Sequence, residues 1–189
     1  MHLHLHLRIR LLLLAALSLS AGVVLPAESE SAYNQGVHAY QAKDYAKARV
    51  HWARAVEQNV RPAYNNLGYL LFYGLGGAED AERAVSLWTT GARRGEREAQ
   101  WHLAHALEDG KGVARDIGAA YAWYRCADVN FASTPPEDDA DTIAMRDIKA
   151  PIARLIATMS PEQLRDSEIR ARQLIAASPY VDEPAATRK

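Results

Sequence analysis

Asp116-Ile117-Gly118-Ala119-Ala120-Tyr121-Ala122-Trp123-Tyr124 sets an aspartate, an alanine four residues on, and an aromatic four beyond that. The same pattern stands 36 residues upstream at Asp80, Ala84 and Trp88, and again at Asp44, Ala48 and Trp52. A fixed period of roughly 20 to 50 residues marks a stacked solenoid, whose units bury their apolar faces against one another. Two columns of small residues accompany it: Gly36, Gly68 and Ala104 ahead of the aspartates, and Ala55, Gly91 and Ala127 just past the aromatics. Helices can approach closely at such positions.

The distance from the first small column to the aspartate is 8 residues in the first unit and 12 in the other two. The longer connections contain Gly74-Leu75-Gly76-Gly77 and Gly110-Lys111-Gly112-Val113, which suit positive φ and exclude continuous helix. Each unit therefore reads as helix, turn, helix. The aspartates follow the turns and precede apolar residues at helical spacing, so they read as N-caps rather than catalytic acids. Asn59 and Gly95 suit the left-handed residue that closes a helix, whereas Phe131 in the same column predicts a different ending.

This pattern resembles the Sel-one-like repeat family, a branch of the tetratricopeptide-type repeats. The third unit carries the resemblance through Leu103-Ala104, Gly110, Gly112, Val113, Asp116, Ala120, Trp123-Tyr124 and Ala127. The second matches at Leu67-Gly68, Gly74, Gly76, Asp80, Arg83-Ala84 and Trp88, with Gly77 where the family has valine. The first unit, with the short turn Ala42-Lys43-Asp44, is closer to an ordinary tetratricopeptide repeat. The resemblance covers residues 31 to about 131. It implies an all-α, right-handed α–α solenoid of three repeats, with the first helices of successive units along the concave side.

Outside the repeats, the chain starts with Arg8 and Arg10 before an apolar stretch from Leu11 to Leu25 and small residues at Ala21 and Ala27. These are the parts of a secretory signal peptide, and the apolar core is shorter than the roughly 20 residues of a membrane-spanning helix. The expected organisation is a cleaved signal peptide over 1–27, with Ala21 the alternative cleavage site, and repeats over 28–132. A proline-rich, acidic linker follows over 133–140, then two capping helices over 141–178 and a flexible tail over 179–189. The first capping helix is expected to bury Ile143, Met145, Ile148, Ile152, Leu155 and Ile156; the second, begun by Ser160-Pro161-Glu162-Gln163, to bury Leu164, Ile169, Leu174 and Ile175. The location implied is periplasmic or secreted, with no membrane span after cleavage.

Cleavage after Ala27 removes Arg8 and Arg10 but no acid, leaving 20 basic residues against 23 acidic ones. Without a basic excess, nucleic acid is disfavoured as a partner. The single cysteine, Cys126, cannot form an internal disulfide and reads as a structural thiol rather than a reactive or intermolecular one, although its column mates Arg54 and Thr90 are polar and set it nearer the outer face than usual. No nucleophile, phosphate-loop or metalloprotease motif occurs, so no catalytic residue, cofactor or metal is assigned. His102, His105 and Glu108 share helical spacing, but such a trio arises readily by chance and reads as structural or partner-contacting. His2, His4 and His6 fall within the expected leader and receive no role.

If the resemblance holds, residues beside the first small column face the concave groove: Tyr33, Asn65 and Trp101 three before it, Asn34, Asn66 and His102 two before it, and Val37, Tyr69 and His105 one after it. Amides suit an extended peptide backbone and aromatic faces suit its side chains. The competing reading has Tyr33 and Trp101 filling gaps between helices and the asparagines capping local backbone. The expected function is a non-enzymatic scaffold of the bacterial envelope that binds a protein or peptide segment. The alternatives are a structural subunit of an export or cell-wall assembly and, less favoured, a penicillin-binding or hydrolysing enzyme. That last activity is connected with cysteine-rich members of the family, whose cysteine pairs this chain lacks.

Overall fold

The computed structural model describes residues 31–133 and 148–179. The leader, most of the 133–140 linker, Ile143 and Met145, and the tail beyond Pro179 lie outside the described residues. Three helix pairs follow in order: α1 (Ala32–Gln41) with α2 (Tyr45–Glu57), α3 (Arg61–Phe72) with α4 (Ala81–Arg93), and α5 (Arg97–Asp109) with α6 (Ile117–Ala132). Two further helices, α7 (Lys149–Ile156) and α8 (Pro161–Ala177), pack on α6. The described residues form an α solenoid with a C-terminal cover.

Each second helix starts where an aspartate can bind free backbone N–H groups. Asp44 accepts from Lys47 N at 3.2 Å, Asp80 from Arg83 N at 3.1 Å and Asp116 from Ala119 N at 2.8 Å. After α2 and α4, Asn59 (φ 60°) and Gly95 (φ 80°) turn the chain in the left-handed region. Phe131 instead remains helical, buried beside the Arg97 guanidinium, which lies 5.2 Å from the ring centroid.

Within a pair, the small column receives the aromatic column. A Cβ on Gly36 would collide with the Trp52 indole, and one on Gly68 would lie 2.5 Å from Trp88 Nε1. The indoles also donate to backbone of their own pair, Trp52 to Tyr33 O and Trp88 to Asn65 O, each at 3.2 Å. Tyr124 alters this in the third unit: its hydroxyl donates to Glu108 Oε2 at 3.0 Å.

Between units, the glycine turns dock on the preceding second helix. A Cβ on Gly76 would come within 2.5 Å of Ala46 N, and one on Gly112 within 2.5 Å of the Ala81 carbonyl carbon. Both glycines have positive φ, so conformation and contact demand the same residue. Arg49, on α2, holds the second turn by donating to Leu75 O at 2.6 Å and to Leu70 O and Ala78 O at 2.9 Å.

The C-terminal cover departs from the sequence pattern at three places. Ile148, Ile152 and Leu155 are buried as expected, but Ile156 is exposed. On α8, Leu164, Leu174 and Ile175 pack against the core while Ile169 is 48% exposed. The small residues Ser167 and Ala171 take the innermost positions there, because Gly118 on α6 lets Ser167 come close. Cys126 lies fully buried, in keeping with a structural thiol and not nearer the outer face as its column mates suggested, and burial pushes its pKa up to about 12. Its column mates Arg54 and Thr90 are exposed; packing of α8 along α6 has no counterpart over α2 and α4. The end of α8 is fastened where Gln100 and Asn130 both donate to Ser178 O, at 3.3 and 3.0 Å.

Candidate functional site

The first helices α1, α3 and α5 meet in an open cleft of about 490 Å³, with one wall residue, Trp52, from α2. The structure brings together seven residues expected in the groove: Tyr33 and Val37 from α1, Asn65, Asn66 and Tyr69 from α3, and Trp101 and His102 from α5. Asn34 and His105 are not among its lining residues. Asn34 belongs to the column of Asn66, but no described helix precedes α1 for it to meet. His105 instead packs edge-on between Trp101 and Tyr124, with ring centroids 4.5 and 5.2 Å away.

Tyr40, Gln41 and Glu98 complete the lining without having been anticipated. They lie one helical turn beyond the columns read from the repeat, and extending the inward face by a turn in both directions would have found them.

The asparagines bridge helices instead of capping their own. Asn66 Nδ2 donates to Tyr33 OH at 3.3 Å, reaching back to α1. Asn65 Nδ2 donates to Glu98 Oε2 at 2.9 Å, reaching forward to α5, and lies 3.4 Å from Asn66 Oδ1. A polar relay thus runs across three successive units along the cleft. Two buried atoms of lining residues stay without a hydrogen-bond partner among the described residues, the acceptor Asn65 Oδ1 and the donor Trp101 Nε1. Buried polar atoms in this state are uncommon.

The charge of the cleft follows from its packing. His102 stacks on Trp88 at 4.8 Å and 12°, and burial lowers its pKa to about 3, so it is neutral at physiological pH. Burial, with Tyr69 and Tyr45 nearby, raises the Tyr40 pKa and keeps that phenol protonated. Glu98 is the only Asp or Glu in the lining, which contains no Lys or Arg.

His102, His105 and Glu108 do not converge. Glu108 accepts the Tyr124 hydroxyl and two N–H groups of Arg154, with Arg154 Nη2 at 2.7 Å from Oε1, while the imidazoles pack against aromatic rings, Trp101 lying between them at 4.8 Å from His102 and 4.5 Å from His105. No group of three His, Cys, Asp or Glu able to hold a metal ion occurs among the described residues. None of their helices is long and apolar enough to cross a membrane.

A protein-family model described as Sel1 repeat matches residues 27–60, 61–96 and 97–127. The spans divide at Arg61 and Arg97, the first residues of α3 and α5. The comparison with curated proteins finds no match. Among solved structures, the fold is similar to c5321, a protective antigen present in uropathogenic Escherichia coli strains and displaying an SLR fold. That match has 23% identity and a TM-score of 0.67, over 78% of this chain and 30% of that one. It is also similar to a Sel1 repeat protein from Oxalobacter formigenes, with 22% identity and a TM-score of 0.51 over 82% of this chain and 66% of the other. The chain thus spans less than two thirds of either structure.

Proposed function

Because the chain belongs to the Sel1 repeat family, whose repeats mediate protein interactions, we propose that it is a non-enzymatic scaffold of the bacterial cell envelope. In this reading an extended segment of a partner protein lies in the cleft of α1, α3 and α5. The observation that carries it is the convergence of residues from three successive units on one cleft, with aromatic walls and two unsatisfied buried polar atoms. An extended segment is long enough to touch all three units, and its backbone carbonyl and amide groups match the chemistry of Trp101 Nε1 and Asn65 Oδ1.

The envelope location is supported by the Arg8 to Ala27 segment. Mass spectrometry of protein purified from cells should place the N-terminus between Gly22 and Ala32; intact Met1 in envelope fractions would refute export by cleavage.

The binding site is tested with the partner captured by crosslinking in intact cells. Trp101→Ala should weaken its binding by about 2 kcal/mol, roughly 30-fold, as loss of an aromatic anchor does. Arg83→Ala, on the exposed side of α4, should leave affinity unchanged. Circular dichroism on both variants separates loss of contact from loss of fold. The opposite ranking would place the partner on the second helices.

A further inference from the structure

We propose that the segment seated in the cleft is rich in proline and uncharged, held in the extended polyproline conformation with its pyrrolidine rings against Tyr33, Tyr40, Tyr69 and Trp101. This rests on the reading of the cleft as the partner-binding site and names the composition of what enters it.

The first argument is an account of hydrogen bonds. Every residue of an extended segment brings a C=O, and every residue except proline also brings an N–H. All lining residues lie on helices, so they present no sheet edge to which a strand could add. Their side chains are largely engaged with one another or with the backbone: Asn66 Nδ2 donates to Tyr33 OH, Asn65 Nδ2 to Glu98 Oε2 and Trp52 Nε1 to Tyr33 O. Of the buried side-chain polar atoms in the lining, two are without a partner among the described residues, and only one of them, Asn65 Oδ1, accepts. The other, Trp101 Nε1, donates to a segment carbonyl. A segment of ordinary composition would carry several N–H groups against a wall that accepts one, and each group left unpaired is costly. Proline brings none.

The second argument is the aromatic surface. Tyr40 packs on Trp52 with ring centroids 5.5 Å apart, Tyr69 on His102 at 5.8 Å and Trp101 on His102 at 4.8 Å. Each of these three rings is thus braced by another before a ligand arrives. Aromatic-lined grooves suit polyproline segments, which are already extended and lose little conformational freedom on binding. The charge of the wall points the same way for acidic segments: the lining contains no Lys or Arg and His102 is neutral, so no countercharge meets a carboxylate.

The experiment uses capped, uncharged hexapeptides of one framework in which the same four positions are all proline, all alanine or all valine. The readout is the Trp101 indole N–H resonance, assigned by its loss in Trp101→Phe. The proline peptide should shift it in a saturable manner and bind about ten-fold more tightly than the other two. Tyr40→Leu, at a residue already 36% exposed, should weaken the proline peptide by about five-fold and remove most of its advantage. Alanine or valine peptides that bind at this indole as well as the proline peptide would overturn the proline inference and leave the cleft as a peptide site. No shift with any peptide would overturn both.

Discussion

The turn at Ala42-Lys43-Asp44 and the glycine turns at Gly74–Gly77 and Gly110–Val113 connect equivalent helices in different ways. The short turn reverses the chain with Lys43 at φ 60° and leads straight into the Asp44 cap. The longer turns place Gly76 and Gly112 against the N-terminal ends of α2 and α4, one unit earlier. Four additional residues thus convert a connection within a pair into a contact between pairs. The two glycine turns differ in turn: Arg49 clamps carbonyls in the second, whereas Arg115 Nε donates to Glu108 O at 2.8 Å in the third. Position 85, one period after Arg49, is valine.

The largest test of this difference is Gly76→Ala or Gly112→Ala. Each combines left-handed strain with a collision against backbone, and should cost about 3 kcal/mol and lower Tm by roughly 10 °C. Gly74→Ala provides the control, since its φ is +66° but the nearest atoms to an added Cβ are 3.5 Å away. Equal losses at all three sites would show that docking between units contributes nothing. Next in size, Arg49→Met should cost about 2 kcal/mol, because several carbonyls lose a charged donor. Hydrogen exchange should accelerate at residues 74–78 and not at 110–114; acceleration in both turns would mean that they open as one unit.

The junctions between units offer a third contrast. Val60 precedes α3 without a side-chain cap, whereas Glu96 precedes α5, caps it at Ala99 N and is buried beside Arg61 and Arg97. Burial outweighs the backbone hydrogen bonds and both arginines, raising the carboxyl from 4.5 to about 7. A group that binds its proton more tightly when folded stabilises the fold below pH 4.5, and this contribution fades as pH rises through about 7. Stability should therefore decline by on the order of 1 to 2 kcal/mol across that interval, and Glu96→Gln should flatten the decline. Identical pH profiles of Tm for parent and variant would remove Glu96 as its source. The smallest effect belongs to the short turn. Lys43→Gly should stabilise by about 0.5 kcal/mol through relief of positive φ, and a measurable loss would mean that the lysine side chain holds the turn.

The repeat, helix pairing and caps were legible because each depends on a residue class at a fixed offset. A tryptophan needs a glycine opposite it, and a helix start needs an acceptor such as Asp80. The docking of Gly76 on Ala46 was hidden, because a glycine's tolerance of positive φ accounts for its presence before any distant contact is known. Half of the cleft's character was hidden for a similar reason: Asn65 and Asn66 fell within the expected columns, but their bonds to Glu98 and Tyr33 reach residues on other units. Ile156 and Ile169 were misplaced, and the polar column mates of Cys126 misled, because a periodic pattern assigns faces as though every unit had the same neighbours. The last unit has α8 instead, whose rotation is set by its own contacts with α6: Ser167 against Gly118, Glu168 with Tyr121 and Arg125, and Arg170 with Asp116.

Gly76 against Tyr45–Ala46 and Gly112 against Ala81 are the same joint separated by one period. In evolutionary terms, that makes the middle of the chain duplicable. A tandem copy of residues 61–96 would set its own Gly76 against the preceding Ala81, so the array could lengthen without a new backbone contact having to arise, although the copied turn would meet Val85 where Arg49 clamps the present one. The α6 side is committed to α8 and to the fastening at Ser178, so growth by duplication is directed to the interior. Each added copy would also bring another α3, with its own Asn65, Asn66 and Tyr69, lengthening the binding cleft by one register.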